Sequence, residues 1–405
     1  MQRTTPRRSD ERGIALAVAV FAMVVIGALV AGTFFVGRLE QVSGRNGAFA
    51  GEAAEAAEGG LAYGRINWDP TYADMAVYDG TAASEISLGT IQVGGNARLV
   101  ATDTLRRLNS ELFLLRSVGQ RRGVGTQVLA TRTLAQVIRL SKPIIDVRSA
   151  ITVMDPIKFN GGAFSVSGVN SAPWGDCAAP RADALDDLVG IRSATTAGVG
   201  NSDDDNIVGE PTSVVENDAQ ITPATFQNFV NETFASLGAS ADVTLSLDTP
   251  YDPRPVVDAA TNKCDKSLIG AGGGALNLGE PSRPPANAAA VTQCYTYFPV
   301  VHGTAARTKF AANARGQGTL LIDGDLEIAG GFEWAGLIIV RGSFKITGNG
   351  NKITGSVMAE GLTGDNSIGG DVDIKYSQCA IERAVNGAAT PKPLSQRSWV
   401  NLYGL

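Results

Sequence analysis

The chain has 405 residues, a formal net charge of −6 and 44% apolar residues, which leaves room for two or three domains with real cores. The mildly acidic balance argues against a nucleic-acid partner, which needs clustered Lys and Arg to displace counterions from phosphate. A single histidine, His302, excludes His-rich metal centres, and none of the four cysteines forms the C-x-x-C of zinc or thioredoxin-like sites.

Residues 1–12 form a basic leader carrying Arg3, Arg7, Arg8 and Arg12. From Gly13 to Gly37 there is no charged residue. A helix over that run spans roughly 37 Å, enough to cross a hydrocarbon core of ~30 Å with some tilt. The arginines ahead of it place the N-terminus in the cytoplasm of a bacterium and everything after Arg38 beyond the inner membrane, in the periplasm or at the surface. A cleaved signal peptide is the alternative, because Ala28–Gly32 offers small residues to a peptidase, although the run is longer than a usual signal core. The helical signal then continues. Leu39, Val42, Phe49, Ala53, Ala57 and Leu61 recur mostly at three- to four-residue steps, and Glu52, Glu55 and Glu58 line a polar face. One helix over 13–64, half membrane-embedded and half amphipathic, is the expectation.

Residues 65–145 read as a small α/β region. "ELFLLRSVG" and "TQVLATRTLAQVIRL" are strand-like runs split by the turn "QRRGVG".

Two stretches, "ERGIALAVAV" (Glu11–Val20) and "AFAGEAAEAAEGGLAYG" (Ala48–Gly64), resemble the type IV pilin superfamily, and more closely the N-terminal module of PilX-type minor pilins and pilus-assembly proteins. The likeness covers about the first 65 residues and extends more weakly to Glu111–Leu140. It implies a long helix packed on a small antiparallel sheet. It also implies cleavage by a prepilin peptidase after Gly13, making Ile14 the first mature residue. Other pilins or assembly proteins, packed through the helix, would be the partners. The glutamate that pilins usually carry at the fifth mature position, which pairs with a neighbouring N-terminal amine, falls on Val18 here.

Between 171 and 314 the chain reads as a loop-rich insertion with one helix over 222–238. Thr222 would be its N-cap, Pro223 its first residue, Gly238 its stop, and Phe226, Phe229, Val230, Phe234 and Leu237 its buried stripe. The C-terminal third carries a repeat. "LLIDGDLEIAG" (Leu320–Gly330) and "IIVRGSFKITG" (Ile338–Gly348) align at an eighteen-residue shift, and "SVMAEGLTG" follows with Gly361 under Gly342. Gly-cornered runs with alternating apolar residues suit coils that must stack to bury their faces. A short β-solenoid over 146–170 and 315–380 is therefore expected, with a β-meander as the alternative and a tail over 381–405.

Signatures of chemistry are missing. Gly270–Asn277 lacks the Lys-Ser/Thr of a phosphate-binding loop, and Asn201–Asn206 lacks the calcium-loop pattern. Asp323 and Asp325 fit solvated outward positions better than a glycosidase pair. Trp174, Trp334, Tyr376 and Trp399 are too scattered to read as a glycan surface. No enzyme activity, cofactor, metal or small-molecule substrate is expected. Cys264 and Cys294 share one Gly/Pro-rich excursion and are expected to bond, which leaves Cys177 for Cys379, as an exported domain allows.

The expected fold is α+β: a long N-terminal membrane-spanning helix, a small antiparallel β-rich domain and a C-terminal short β-solenoid. The expected function is a non-catalytic, membrane-anchored, pilin-like envelope protein, a minor pilin or a component of pilus or pseudopilus assembly. The alternatives are an anchored β-solenoid adhesin or polysaccharide-acting surface protein, and a polymer-forming scaffold.

Overall fold

A computed structural model describes residues 11–69, 72, 75–160, 164–175, 177, 187–196, 206–260, 263–268, 275–281, 293–362, 364, 366–394 and 399–401. The fold is α+β, with a long apolar N-terminal helix and many strands in sheets. The chain divides into two compact units: Met1–Asn67 with Ala76–Ile138 and Pro393–Leu405, and Trp68–Met75 with Arg139–Lys392.

The first unit is built on helix α1, Glu11–Ile66, 56 residues without a proline. Residues 15–48 of it are exposed, while 49–66 lie on an antiparallel meander of Glu85–Gln92, Leu99–Arg107, Leu112–Arg122 and Val128–Ser141, with Trp399–Asn401 paired to the last of these. Ala53, Ala56, Ala57 and Leu61 on the helix bury themselves together with Ala101, Leu105, Phe113 and Leu115 on the sheet. Small residues set the separation. A Cβ on Gly119 would lie 2.1 Å from the Ala53 carbonyl oxygen, and one on Gly60 would lie 2.3 Å from Ser117 Oγ and 2.5 Å from Asp103 Oδ1. Helix and sheet therefore meet almost backbone to backbone. Asp103 and Ser117, cross-strand partners, are sealed beneath the helix. Burial pushes the Asp103 carboxyl above its ordinary range.

The second unit is a stack of parallel strands. One sheet runs in the order Val214–Val215, Val189–Ser193, Ser149–Val153, Asn351–Ala359, Glu333–Val340, Arg315–Ile322, Val300–Gly303, Val243–Leu245, every pair parallel. A second runs Pro250–Tyr251, Arg307–Phe310, Asp325–Ile328, Phe344–Ile346, Asn366–Gly369, Ile157–Asn160, again all parallel. The sequence repeat falls residue on residue: Ile322 pairs with Val340, Leu326 with Phe344, Ile328 with Ile346, and Gly361 N donates to Gly342 O at 3.0 Å. Three long strands share a corner where Gly318, Gly336 and Gly355 stack in register at φ of 105°, 129° and 142°. No residue with a Cβ fits there. On Gly355 a Cβ would lie 1.8 Å from Gly336 O, and the left-handed backbone itself favours glycine.

The neighbouring residues Ile339 and Val340 are both fully buried. Val340 points into the core between the sheets, with Phe310, Phe332, Trp334 and Phe344. Ile339 points the other way, into a cluster with Ile221, Phe226, Phe234 and Leu237. The strand is covered on both faces, which explains its unbroken apolar run. Trp174, Trp334 and Tyr376 are core residues and form no glycan platform.

Three expectations need correction. The single helix over 222–238 is two short ones, α2 (Pro223–Gln227) and α3 (Phe234–Ala239), separated by a turn in which Asn228 bridges Thr233. Asn231 in that turn accepts from Ile144 N at 2.8 Å and donates to Lys142 O at 2.6 Å, so tertiary hydrogen bonds replace the helical ones. Val230 is left 75% exposed, outside the stripe assigned to it. The segment 171–314 is likewise more than a loop-rich insertion: its strands 189–193, 243–245, 300–303 and 307–310 extend both sheets. The expected tail over 381–405 also holds structure, since α4 (Gln378–Gly387) and strands Thr390–Pro393 and Trp399–Asn401 reach into it.

Replacing Ile346, fully buried between the sheets, by Asp places an unpaired carboxylate there at a cost of several kcal/mol, roughly 3 or more. Urea unfolding of the second unit should shift to much lower denaturant, and an unchanged midpoint would contradict the packing. Asp103 predicts a pH effect. Its folded pKa is raised, so its contribution is fully present below the unfolded pKa and is lost as pH rises through the folded value. Asp103→Asn should gain stability relative to the parent as pH goes from 4 to 8, and a difference that stays flat across that range would contradict it.

Candidate functional site

The exposed half of α1 is the most unusual surface of the molecule. Leu16, Phe21, Met23, Leu29, Phe34 and Phe35 are each 65–77% exposed, a contiguous apolar cylinder that a monomer in water would not keep. It is a helix long and apolar enough to cross a membrane, with a mean hydropathy of 2.7 over its most apolar window. Gly13 and Ile14, the cleavage pair implied by the resemblance, lie in the first turn of α1. Gly27 and Gly32 have nothing within 4 Å of an added Cβ, so a close approach is open to another helix there. The physical capacity of this surface is docking, either into lipid or against other apolar helices.

The structure brings the cysteines together as Cys264–Cys294, thirty residues apart, and Cys177–Cys379, 202 residues apart. Buried amides frame the first pair. Asn277 Nδ2 donates to Val256 O at 3.1 Å and Asp265 O at 2.9 Å, while Gln317 Nε2 donates to Cys294 O, Tyr295 O and Tyr297 O at 3.1, 3.1 and 2.8 Å. The second pair ties α4 beside Trp174, Phe298 and Ala335. Helix α4 rests on the glycine corner, where a Cβ on Gly336 would meet Ala384 Cβ at 2.9 Å.

Two grooves lie in the second unit. One, of about 540 Å³, is lined by His302, Asp323, Arg341 and Phe234 among others. His302 Nε2 lies 3.2 Å from Asp323 Oδ2, and its ring packs edge-on to Phe234 at 6.0 Å. Buried Glu360 accepts from Gln227 Nε2 at 3.0 and 3.2 Å and sits 3.7 Å from Arg341 Nε. Thr233, which lines this groove, N-caps α3 by accepting from Ser236 N at 3.0 Å. These contacts clamp α2 and α3 to the sheet. A second groove, of about 570 Å³, contains Asp146 and Arg148 paired to each other, with Gln220 2.6 Å from Arg148. Among the described residues no three His, Cys, Asp or Glu gather as a metal site. Asp325, which the repeat placed outward, accepts from Ser343 N at 2.8 Å and serves a turn. Residues 201–205 of the acidic loop and 270–274 of the glycine loop lie outside the described residues.

The sequence reading missed Gly60, Gly119 and Asp103, which set the height of α1 on its sheet. Their signal was present: a Gly-Gly pair in an Ala-rich helix, a glycine in the alternating "SVGQ", and an Asp on the buried phase of "VATDTL".

No family model matches this chain, and no curated protein is significantly similar to it. A solved structure, the competence-associated pilin ComZ from Thermus thermophilus, aligns over 87% of this chain and 98% of its own at 14% identity and a TM-score of 0.24, too slight a likeness to bear on fold or function.

Reduction should weaken the second unit. Opening the thirty-residue Cys264–Cys294 loop costs about 3–4 kcal/mol by the chain-entropy estimate, and the longer Cys177–Cys379 loop somewhat more. Urea unfolding with and without reductant should show that loss, with Cys264→Ser/Cys294→Ser reproducing part of it. Equal midpoints would contradict a structural role.

Proposed function

We propose that the protein is a non-catalytic, pilin-like envelope protein, a PilX-like minor pilin or a component of type IV pilus or pseudopilus assembly. Helix α1 anchors it in the inner membrane with the N-terminus cytoplasmic, and the β-rich remainder sits in the periplasm or at the surface. The observation that carries this reading is the division of one continuous helix. Residues 15–48, apolar as far as Gly37, are exposed, and 49–66 are seated on an antiparallel sheet. A protein that needed only an anchor has no reason to run the same rigid helix into its folded domain, whereas a subunit that packs by its stem does. The pilin-like "ERGIALAVAV" and "AFAGEAAEAAEGGLAYG" coincide with those two halves.

In this reading the stem is released from its leader between Gly13 and Ile14. Val18 lacks the carboxylate that would pair with a neighbouring amine, so packing rests on apolar faces and on the close approach that Gly27, Ala28, Ala31 and Gly32 allow. The second unit is read as a short β-solenoid, because parallel strands recur at steps of eighteen and nineteen residues around a shared core. It works as a presented surface with no reaction assigned to it. Its end strands, Val214–Val215 and Val243–Leu245, are only two and three residues long, which disfavours the polymer-forming scaffold.

N-terminal sequencing of the mature protein from membrane and sheared-surface fractions tests the reading. The expected first residue is Ile14, with Gly13→Leu blocking the cut. Cleavage near Ala31 would remove the stem and overturn it.

A further inference from the structure

We propose that the hairpin turn 122–129 of the first unit docks on an anionic phospholipid surface, so that the domain is held at the membrane by two points, the stem and this turn. The proposal rests on the reading of α1 as a membrane anchor.

The geometry follows from contacts between α1 and the strand Leu112–Arg122. Leu115 packs at Gly64, Ser117 at Gly60 and Gly119 between Ala53 and Ala57, while Arg121 pairs with Glu52 and lies 5.5 Å from the centre of the Phe49 ring. From Leu115 to Arg121 the strand covers about 20 Å. The helix from Gly64 back to the Phe49–Glu52 turn covers about the same distance. The strand thus runs alongside the helix towards its N-terminus, and the turn after Arg121 reaches roughly 10 Å further. That brings its tip level with the helix near Arg45, about 10 Å from the level of Arg38, where the apolar run ends. The headgroup layer adds roughly 6 Å beyond the hydrocarbon core, and the field of its charges extends about another 8 Å. The tip is inside that range.

The residues at the tip suit such a surface. Val124 is 89% exposed, with Val128 at 46% and Leu129 at 37% on the returning strand. Arg122 N donates to Arg98 O at 2.8 Å, which sets the Arg98 loop beside the turn. Arg38, Arg45, Arg98 and Arg122 lie towards this end of the unit, with Arg122 half-buried and donating from Nε and Nη2 to Gln120 Oε1 at 3.2 and 3.0 Å, while Glu52 is taken up by Arg121 and Glu40 is the one further acidic residue on the helix there. An exposed valine crown flanked by arginines is a poor surface for water. It fits an interface in which apolar atoms enter the headgroup region and guanidiniums meet lipid phosphates.

The test uses the full chain reconstituted in vesicles of neutral phosphatidylcholine, or of phosphatidylcholine with phosphatidylglycerol at about seven to three. An environment-sensitive fluorophore is placed at Val124→Cys or, separately, at Phe21→Cys. The Phe21 probe should be buried in both lipids and report the anchor. The Val124 probe should shift to the blue and be quenched by headgroup-labelled lipid in the anionic vesicles only. Arg98→Ala and Arg122→Ala should each lower the docked-to-free ratio about fivefold, the factor that ~1 kcal/mol per arginine near such a surface implies. A Val124 probe that stays aqueous in anionic vesicles while the Phe21 probe is buried would overturn the docking and leave the anchor standing. An aqueous Phe21 probe would overturn the anchor and the docking with it. A Val124 signal that follows protein density and ignores lipid charge would assign the turn to a neighbouring copy, and would also overturn the proposal.

Discussion

Everything in the first unit depends on how closely α1 approaches the sheet beneath it. Gly60 and Gly119 remove the two side chains that would hold helix and strand apart, and at Gly119 the strand reaches the backbone of the Ala53–Ala57 turn. Alanines rather than leucines fill most of the helix side of this seam, so contact area per residue is small and precision of fit has to replace bulk. The result is a rigid lever. A helix fixed along its last four or five turns projects its first two-thirds as a straight extension, about 55 Å from Glu11 to Ala48 at the usual rise. Sealing Asp103 under the seam carries a cost that an apolar residue would avoid, and the raised carboxyl pKa expresses it.

The second unit solves a different problem. A two- to nine-residue strand cannot bury itself, and the solution is to lay each on the one before with the same register. The glycine corner at Gly318, Gly336 and Gly355 turns each long strand without widening the stack, and the space left by its missing side chains receives α4. The order of strands is not the order of the chain. Ser149–Val153, early in the unit, lies against Asn351–Ala359, near its end, and Val243–Leu245 closes the opposite edge. Chain-distant neighbours of this kind make the unit cooperative, and the Cys177–Cys379 bond likewise joins residues 202 apart in sequence.

The parts legible in the sequence were those with a period. The three- to four-residue rhythm from Leu39 to Leu61 gave α1, the alternation around "QRRGVG" gave the hairpin, and the eighteen-residue echo between Leu320–Gly330 and Ile338–Gly348 gave the parallel register down to the pairing of Ile328 with Ile346. Segments without a period were misread. Val189–Ser193, Val243–Leu245 and Val300–Gly303 are three to five residues long and are strands only because an existing edge offers hydrogen bonds, a tertiary cause that no local pattern carries. The helix over 222–238 failed for the same reason. Its apolar spacing was right at Phe226, Phe234 and Leu237, but the hydrogen bonds of Asn231 with 142 and 144 outweigh the continuation of a helix. At the candidate site, the composition of the stem was plain in the sequence, while its seating on Gly60 and Gly119 was not, because a glycine in a helix reads as a weakness until its neighbour is known.

The central claim is that the exposed half of α1 packs against other helices as well as lipid. Single-cysteine scanning from Leu16 to Phe35 in the native membrane, with oxidative crosslinking, measures this directly. Packing predicts protein crosslinks that rise and fall every three to four residues, strongest on the face of Gly27, Ala28, Ala31 and Gly32. Crosslinking that is absent or uniform at every position would mean that the helix meets only lipid, and would contradict the account.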